Sequence, residues 1–168
     1  MEVLIISGME KSGKSEIICK IANWLVEEKN AKYTNMTGYG KYAVYKPNTN
    51  VDMRTIFELN GKKIFIHSAT DNELRIRELR EVLSSHNDID ILITSARSFD
   101  GPERTTLVKE IGWIQKEYAI FDKNGKQLIE IPMIHISYGN VRNKIKGWYN
   151  YNCFELAKKI LTQEPFNL

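Results

Sequence analysis

Only two cysteines, Cys19 and Cys153, occur in the chain. Two thiols so far apart give neither a disulfide framework nor metal-ligand spacing. Both fall in helix-like stretches among apolar neighbours, which predicts buried free thiols. Strong charge is also lacking: the formal net charge is +3 over 168 residues. A nucleic-acid face needs clustered Lys and Arg rather than a small surplus, so this balance argues against nucleic acid as a partner. No apolar run approaches the ~18 residues of a membrane span, so no membrane partner is expected. Repeats and low-complexity linkers are absent. The first residues enter a strand directly, without the basic segment, apolar run and small-residue cleavage site of a leader. A reducing, cytoplasmic setting is the expectation. At this length, with ordinary apolar and charged fractions, residues 1–168 fit one domain with its own core.

What is present reads as alternating strands and helices. Val3 to Ile6 is a short β-branched run, a buried strand in pattern. Ile17, Ile18, Ile21, Ala22, Trp24 and Leu25 then recur at helix spacing. Ala31 to Met53 is ambiguous, with tyrosines and glycines interleaved. Asn60-Gly61 is a two-residue hairpin turn between Ile56–Leu59 and Lys63–His67. A helix is predicted over 72–85, and a continuous apolar strand, suited to a parallel sheet, over 89–94. A loop over 95–102 leads to a helix over 103–111. Asn124-Gly125 predicts a second hairpin, whose second arm runs into a last strand over 131–137. A C-terminal helix is expected over 154–161, with 142–151 either loop or an earlier helical turn. This order gives an α/β fold with a mainly parallel sheet, helices on both faces and an antiparallel hairpin arm. Ligands in such sheets bind at the carboxyl ends of the strands.

At the end of the first strand the chain reads SGMEKSGKSE. Gly8 to Ser15 fit G-x-x-x-x-G-K-S/T without a mismatch. Gly8 lets the chain leave the strand where a side chain would obstruct it. Gly13 lets the backbone approach a phosphate. Loop N–H groups converge into an anion nest, and the next helix adds its first donors. Lys14 is placed to reach the β- and γ-phosphates, and the Ser15 hydroxyl to ligate Mg²⁺. Lys11, Ser12 and Glu16 complete the candidate phosphate-binding set. The alternative is a glycine-rich turn that binds nothing. On these residues the chain resembles the P-loop NTPases, with Gly8–Ser15 as its Walker A motif. That resemblance implies ATP and Mg²⁺ as ligands and a three-layer fold.

It also implies an acidic residue near the metal at a strand end. Asp90 opens its strand and belongs at the amino end. Asp71 lies just past the carboxyl end of the 64–67 strand and is the candidate metal-side or base carboxylate. Capping the helix that starts near Asn72 explains it equally well. A usual Walker B runs apolar residues straight into Asp, whereas His67-Ser68-Ala69-Thr70 intervenes here. Arg97 follows the carboxyl end of the 89–94 strand, and Arg104 follows the next loop. Nucleotide kinases resemble this layout, with lid arginines that stabilise the transferring phosphoryl. A local ion pair for Arg97 and a solvated helical turn for Arg104 are the alternatives. Arg75, Arg77 and Arg80 fit an ion-paired, solvated helix face. His67 and His135 fit strand packing, and His86 a helix end. Tyr39, Tyr42 and Tyr45 suit either stacking on a ligand or strand packing. In kinases of similar plan the loop after the final strand often touches adenine, which points to Gly139 and Asn140; a tight turn explains Gly139 equally well.

Two functions compete. The first is a small-molecule or nucleotide kinase, with an unidentified acceptor over the 31–54 excursion. The second is a nucleotide-hydrolysing switch or ATPase that regulates a protein partner. The strands around Asn60-Gly61 resemble those entering the second switch of small GTPases. That family's Asp-x-x-Gly is missing, since Asn72, Glu73 and Leu74 follow Asp71. Its Asn-Lys-x-Asp is missing too, since Asp122-Lys123-Asn124 has another order, which argues against guanine. A non-enzymatic nucleotide-dependent contact surface, with Trp148, Tyr149, Tyr151 and Phe154, is a third possibility. Core packing of those aromatics is its bland counterpart.

Overall fold

A computed structural model of the chain describes residues 1–36, 45–49, 52–68, 70, 72–97, 102–112, 114–116, 119–121, 128–133 and 139–168. The described residues form an α/β fold with a six-stranded mixed sheet and four helices. β1 (Glu2–Gly8) leads to α1 (Lys14–Glu27). β2 (Lys32–Asn35), β3 (Arg54–Leu59) and β4 (Lys62–His67) follow. Then come α2 (Glu73–Ser85), β5 (Ile91–Ala96) and α3 (Pro102–Glu110). β6 (Ile114–Lys116), β7 (Ala119–Phe121), β8 (Ile129–Met133) and α4 (Gly139–Leu161) complete the order. No described helix is long and apolar enough to cross a membrane.

The sheet order is β2-β3-β4-β5-β1-β8. β8, β1, β5 and β4 are parallel, with β1 between β5 and β8. β3 runs antiparallel to both β2 and β4. Asn60 and Gly61 take positive φ of 52° and 77°, which a tight two-residue turn with the twist of the strands requires. That turn fixes the register: Leu59 opposes Lys62, and Arg54 opposes His67.

The period-2 alternation of β1 divides the core in two. Leu4 and Ile6 pack with Ile17, Ile21 and Leu25 of α1 and Ala157 and Leu161 of α4. Val3 and Ile5 pack with Ile76, Leu79 and Val82 of α2 and Leu107 of α3. All four β1 residues are at most 2% exposed, so each contributes about 1.5–3 kcal/mol of burial. That anchors the strand from which the Gly8–Ser15 loop departs. Cys19 and Cys153 are buried free thiols, as expected.

Three expectations change. Strand 89–94 lies two residues later, as β5. α4 begins at Gly139 rather than near 154, so 142–151 is helix and Gly139 and Asn140 open it. β7 pairs with β6, while β8 pairs in parallel with β1. A hairpin whose second arm becomes the last strand is therefore not what the described residues form. The Asn124-Gly125 turn and His135 lie outside them.

Candidate functional site

The loop leaves the carboxyl end of β1 at Gly8. Its shape is made by left-handed residues: φ is 155° at Gly8, 61° at Lys11 and 104° at Gly13. A Cβ on Gly8 would stand 2.7 Å from the Met133 carbonyl oxygen of β8. Gly8 is thus held by the neighbouring strand as well as by the turn. Ser12 N–H donates to the Met9 carbonyl at 3.3 Å, which closes the loop on itself. The Ser12 hydroxyl is buried and has no hydrogen-bond partner among the described residues. Such a group calls for a partner supplied from elsewhere.

Gly13 is the N-cap of α1 and provides no side-chain cap. The first N–H groups of α1 therefore face the loop without a capping side chain, and the helix adds its partial positive charge. Lys14 is only 8% exposed. Its ammonium reaches back to donate to the carbonyls of Gly8 and Met9, both at 2.9 Å. The cation therefore lies across the same loop as the helix donors. One turn of backbone thus gathers positive charge and donors with no carboxylate inside it except Glu10, whose side chain is 67% exposed.

Ser15 makes the contact that sequence reasoning missed. Its hydroxyl donates to Asp52 Oδ1 at 3.0 Å. The Ser68 hydroxyl donates to the same oxygen at 3.4 Å and accepts a hydrogen bond from Met53 N–H at 2.8 Å. Ser68 N–H in turn donates to the Met53 carbonyl at 3.1 Å. Asp52 precedes β3, so it enters from an amino end. Because β3 is antiparallel, its amino end lies at the carboxyl end of β4. The signal was in the register: counting back from Asn60-Gly61 puts Met53 opposite Ser68, with Asp52 just beyond.

Asp71, the expected carboxylate, lies outside the described residues, as do Tyr39 and Tyr42. The N-cap of α2 is Asn72, whose side chain accepts from Arg75 N–H at 3.1 Å. Capping is therefore the work of Asn72. Tyr45 is core: it packs edge-on against Tyr33 and Phe57, and its hydroxyl donates to Asn23. Burial, reinforced by Glu27, pushes its pKa up to about 12.

The two candidate arginines separate. Arg97 follows β5 and reaches the loop, with Nη1 3.7 Å from the Glu10 carboxylate and a side chain 34% exposed. Arg104 is 1% exposed and grips Glu130 of β8 through Nε, at 3.0 and 3.2 Å, and through Nη2. Glu130 pairs with Ile5, three residues short of the Met133–Gly8 pair. At ~3.3 Å per residue that is roughly 10 Å below the loop. The structure sets Lys14 and Ser15 at the loop, places Arg97 beside Glu10 of that loop, and leaves Arg104 pinning α3 to the sheet.

No family model, curated protein or solved structure matches the chain. The site is therefore read from its own chemistry.

Beneath the edge lies a second polar group. Arg54 is fully buried and pairs with Glu78, which also takes two bonds from Arg75 at 2.9 and 3.0 Å. Burial pushes Glu78 up, but hydrogen bonds from Arg75 and Arg54 outweigh it and hold the carboxyl below its usual range. His67 stands across from Arg54, wholly buried, with neither ring nitrogen hydrogen-bonded among the described residues. Burial, with Arg54 and Arg75 nearby, lowers its pKa to about 3. It is a neutral core histidine. Of the arginines expected on a solvated, ion-paired face of α2, Arg75 instead turns to Glu78 and is 18% exposed, whereas Arg80 is 62% exposed and pairs with Glu110 of α3. Among the described residues no three His, Cys, Asp or Glu side chains cluster as metal ligands.

Proposed function

We propose that the chain binds a nucleoside triphosphate, ATP in preference to a guanine nucleotide, on the Gly8–Ser15 loop and transfers its γ-phosphoryl group to a small-molecule or nucleotide acceptor. This reading makes it a P-loop phosphotransferase, with its sheet and two cores as the three-layer frame. The observation that carries it is the Ser15–Asp52 pair at 3.0 Å, directly below an uncapped helix N-terminus. Hydroxyl and carboxylate oxygens suit Mg²⁺, which is held by one or two protein oxygens together with substrate phosphates rather than by an all-protein cage. Ser15 and Asp52 would hold it, and it would neutralise charge on the β- and γ-phosphates.

The residues then divide the work. Loop N–H groups, the Ser12 hydroxyl and Lys14 bind and orient the phosphates. Arg97 faces the charge that builds on the migrating group. The bond from the γ-phosphorus to the bridging oxygen breaks as a bond to the acceptor oxygen, a hydroxyl or a phosphate oxygen, forms. Where the acceptor is a hydroxyl, its proton passes to a base, for which Asp71 is the candidate, and ADP leaves.

The exposed aromatics of α4 favour a second reading. Trp148 and Tyr151 are 66% and 56% exposed, whereas Tyr149 and Phe154 pack against the core. A nucleotide-hydrolysing switch would use such a face on a protein partner. ADP release from Mg²⁺-ATP, with a panel of nucleosides and nucleoside monophosphates and with Lys14→Ala as control, separates the two. Stimulation by one acceptor, lost in the variant, supports the kinase. Slow release that no acceptor changes supports the switch, and absence of ATP binding overturns both.

A further inference from the structure

α4 touches the loop through Asn150. This side chain is 1% exposed and fills the space beside Gly13. A Cβ on Gly13 would stand 2.9 Å from Asn150 Oδ1 and 3.0 Å from Nδ2. Gly13 is therefore required by the close approach of α4 as much as by any phosphate. Asn150 Nδ2 donates to Glu16 Oε2 at 2.6 Å. The amide orientation follows from that partner, because only N–H can face a carboxylate. Oδ1 has no donor among the described residues. Burying an unmet acceptor destabilises a fold, so packing alone gives no reason for a carboxamide here.

Glu16 supplies the reason. It follows Ser15 in the first turn of α1. A carboxylate there suits the bare helix N-terminus but opposes a bound polyanion. Its charge is drawn to one flank by Lys20 at 3.1 Å, Lys146 at 4.0 Å and Asn150. Two of these three groups come from α4.

We propose that Asn150 is a positioning residue. It holds the Glu16 carboxylate against α4, away from the triphosphate, and keeps Gly13 in its left-handed conformation. α4 thereby sets the affinity of the loop for nucleotide. This rests on the phosphate reading of the loop.

The test is calorimetric titration of a non-hydrolysable Mg²⁺-ATP analogue into the full chain. Asn150→Ala and Asn150→Asp are compared in the native and the Glu16→Gln backgrounds, with thermal melting of each variant. Loss of a buried hydrogen bond to a charged group predicts affinity about tenfold weaker for Asn150→Ala. Asn150→Asp, which adds a second negative charge, weakens it further. It also keeps the side-chain shape, and serves if the truncated variant does not fold. With Glu16→Gln there is no charge to restrain, and the penalty of Asn150→Ala falls below about threefold. A purely structural Asn150 gives the same penalty in both backgrounds, and that result overturns the proposal. Binding within twofold of the native chain for both Asn150 variants overturns it as well. If the native chain binds no analogue, the phosphate reading falls and takes this proposal with it.

Discussion

One group of polar residues lies in the interior and another at the loop edge of the sheet, and the two differ in how their bonds are used. In the interior, Arg54 is held by Glu78 and Arg104 by Glu130, each arginine at most 1% exposed. At the edge, Ser15 meets Asp52 at 3.0 Å, and Arg97 makes a 3.7 Å contact to a mostly exposed Glu10. A buried pair must be geometrically complete, because each charge left alone there is strongly destabilising. The Arg97–Glu10 pair, half-exposed and 3.7 Å long, holds little energy. Residue type does not separate Arg97 from Arg104. The partner does.

The contrast can be broken by experiment. Arg104→Ala leaves Glu130 nearly buried and uncompensated, which costs about 3–5 kcal/mol. Chemical denaturation would read that loss, and unaltered stability would remove Arg104 from the interior group. Arg97→Ala should do the reverse. On the phosphotransferase reading, losing one charge stabiliser lowers kcat roughly 10²–10³-fold, while the melting temperature should stay close to that of the native chain.

His67 sharpens the interior half. Its folded pKa, about 3, lies below the ordinary value of 6.5. Between those values the unfolded chain binds a proton that the folded chain does not. Stability is therefore full above pH 6.5 and falls on acidification toward pH 3, by up to about 1.4 kcal/mol per pH unit. Glu78, depressed by its arginines, adds loss in the same direction at the acid end. His67→Phe should flatten the upper part of the curve. The smallest effect belongs to Asn72→Ala, which removes the α2 cap and costs about 1 kcal/mol. Thermal melts of this variant should show no companion change in nucleotide binding.

Much of this was legible because local rules act on local sequence. The run Val3–Ile6, the glycine loop, the spacing of Ile17, Ile21 and Leu25, and the Asn60-Gly61 turn each specify their element without reference to the rest. The carboxyl-end rule then led to Arg97. The same rule hid Asp52, because β3 is antiparallel and brings its amino end to that edge. Arg104, on α3, has its partner Glu130 26 residues away on β8, a pairing that local sequence does not show. α4 escaped because Gly147 and a polar run interrupt its apolar spacing over 142–152, where contacts to α1 such as Asn150–Glu16 support it instead. Pairing β8 with β1 is likewise a long-range choice.

On the proposed reading, Asp52, reached through the antiparallel arm, completes the metal side of the loop. Calorimetric titration of ATP into the native chain and Asp52→Asn, each with Mg²⁺ and with a chelator, tests it most directly. Asparagine keeps an oxygen for the Ser15 hydroxyl, so the loop should stay in place. Mg²⁺ should tighten ATP binding to the native chain and leave binding to Asp52→Asn unchanged. An equal Mg²⁺ effect in both proteins, or no ATP binding by either, would contradict it.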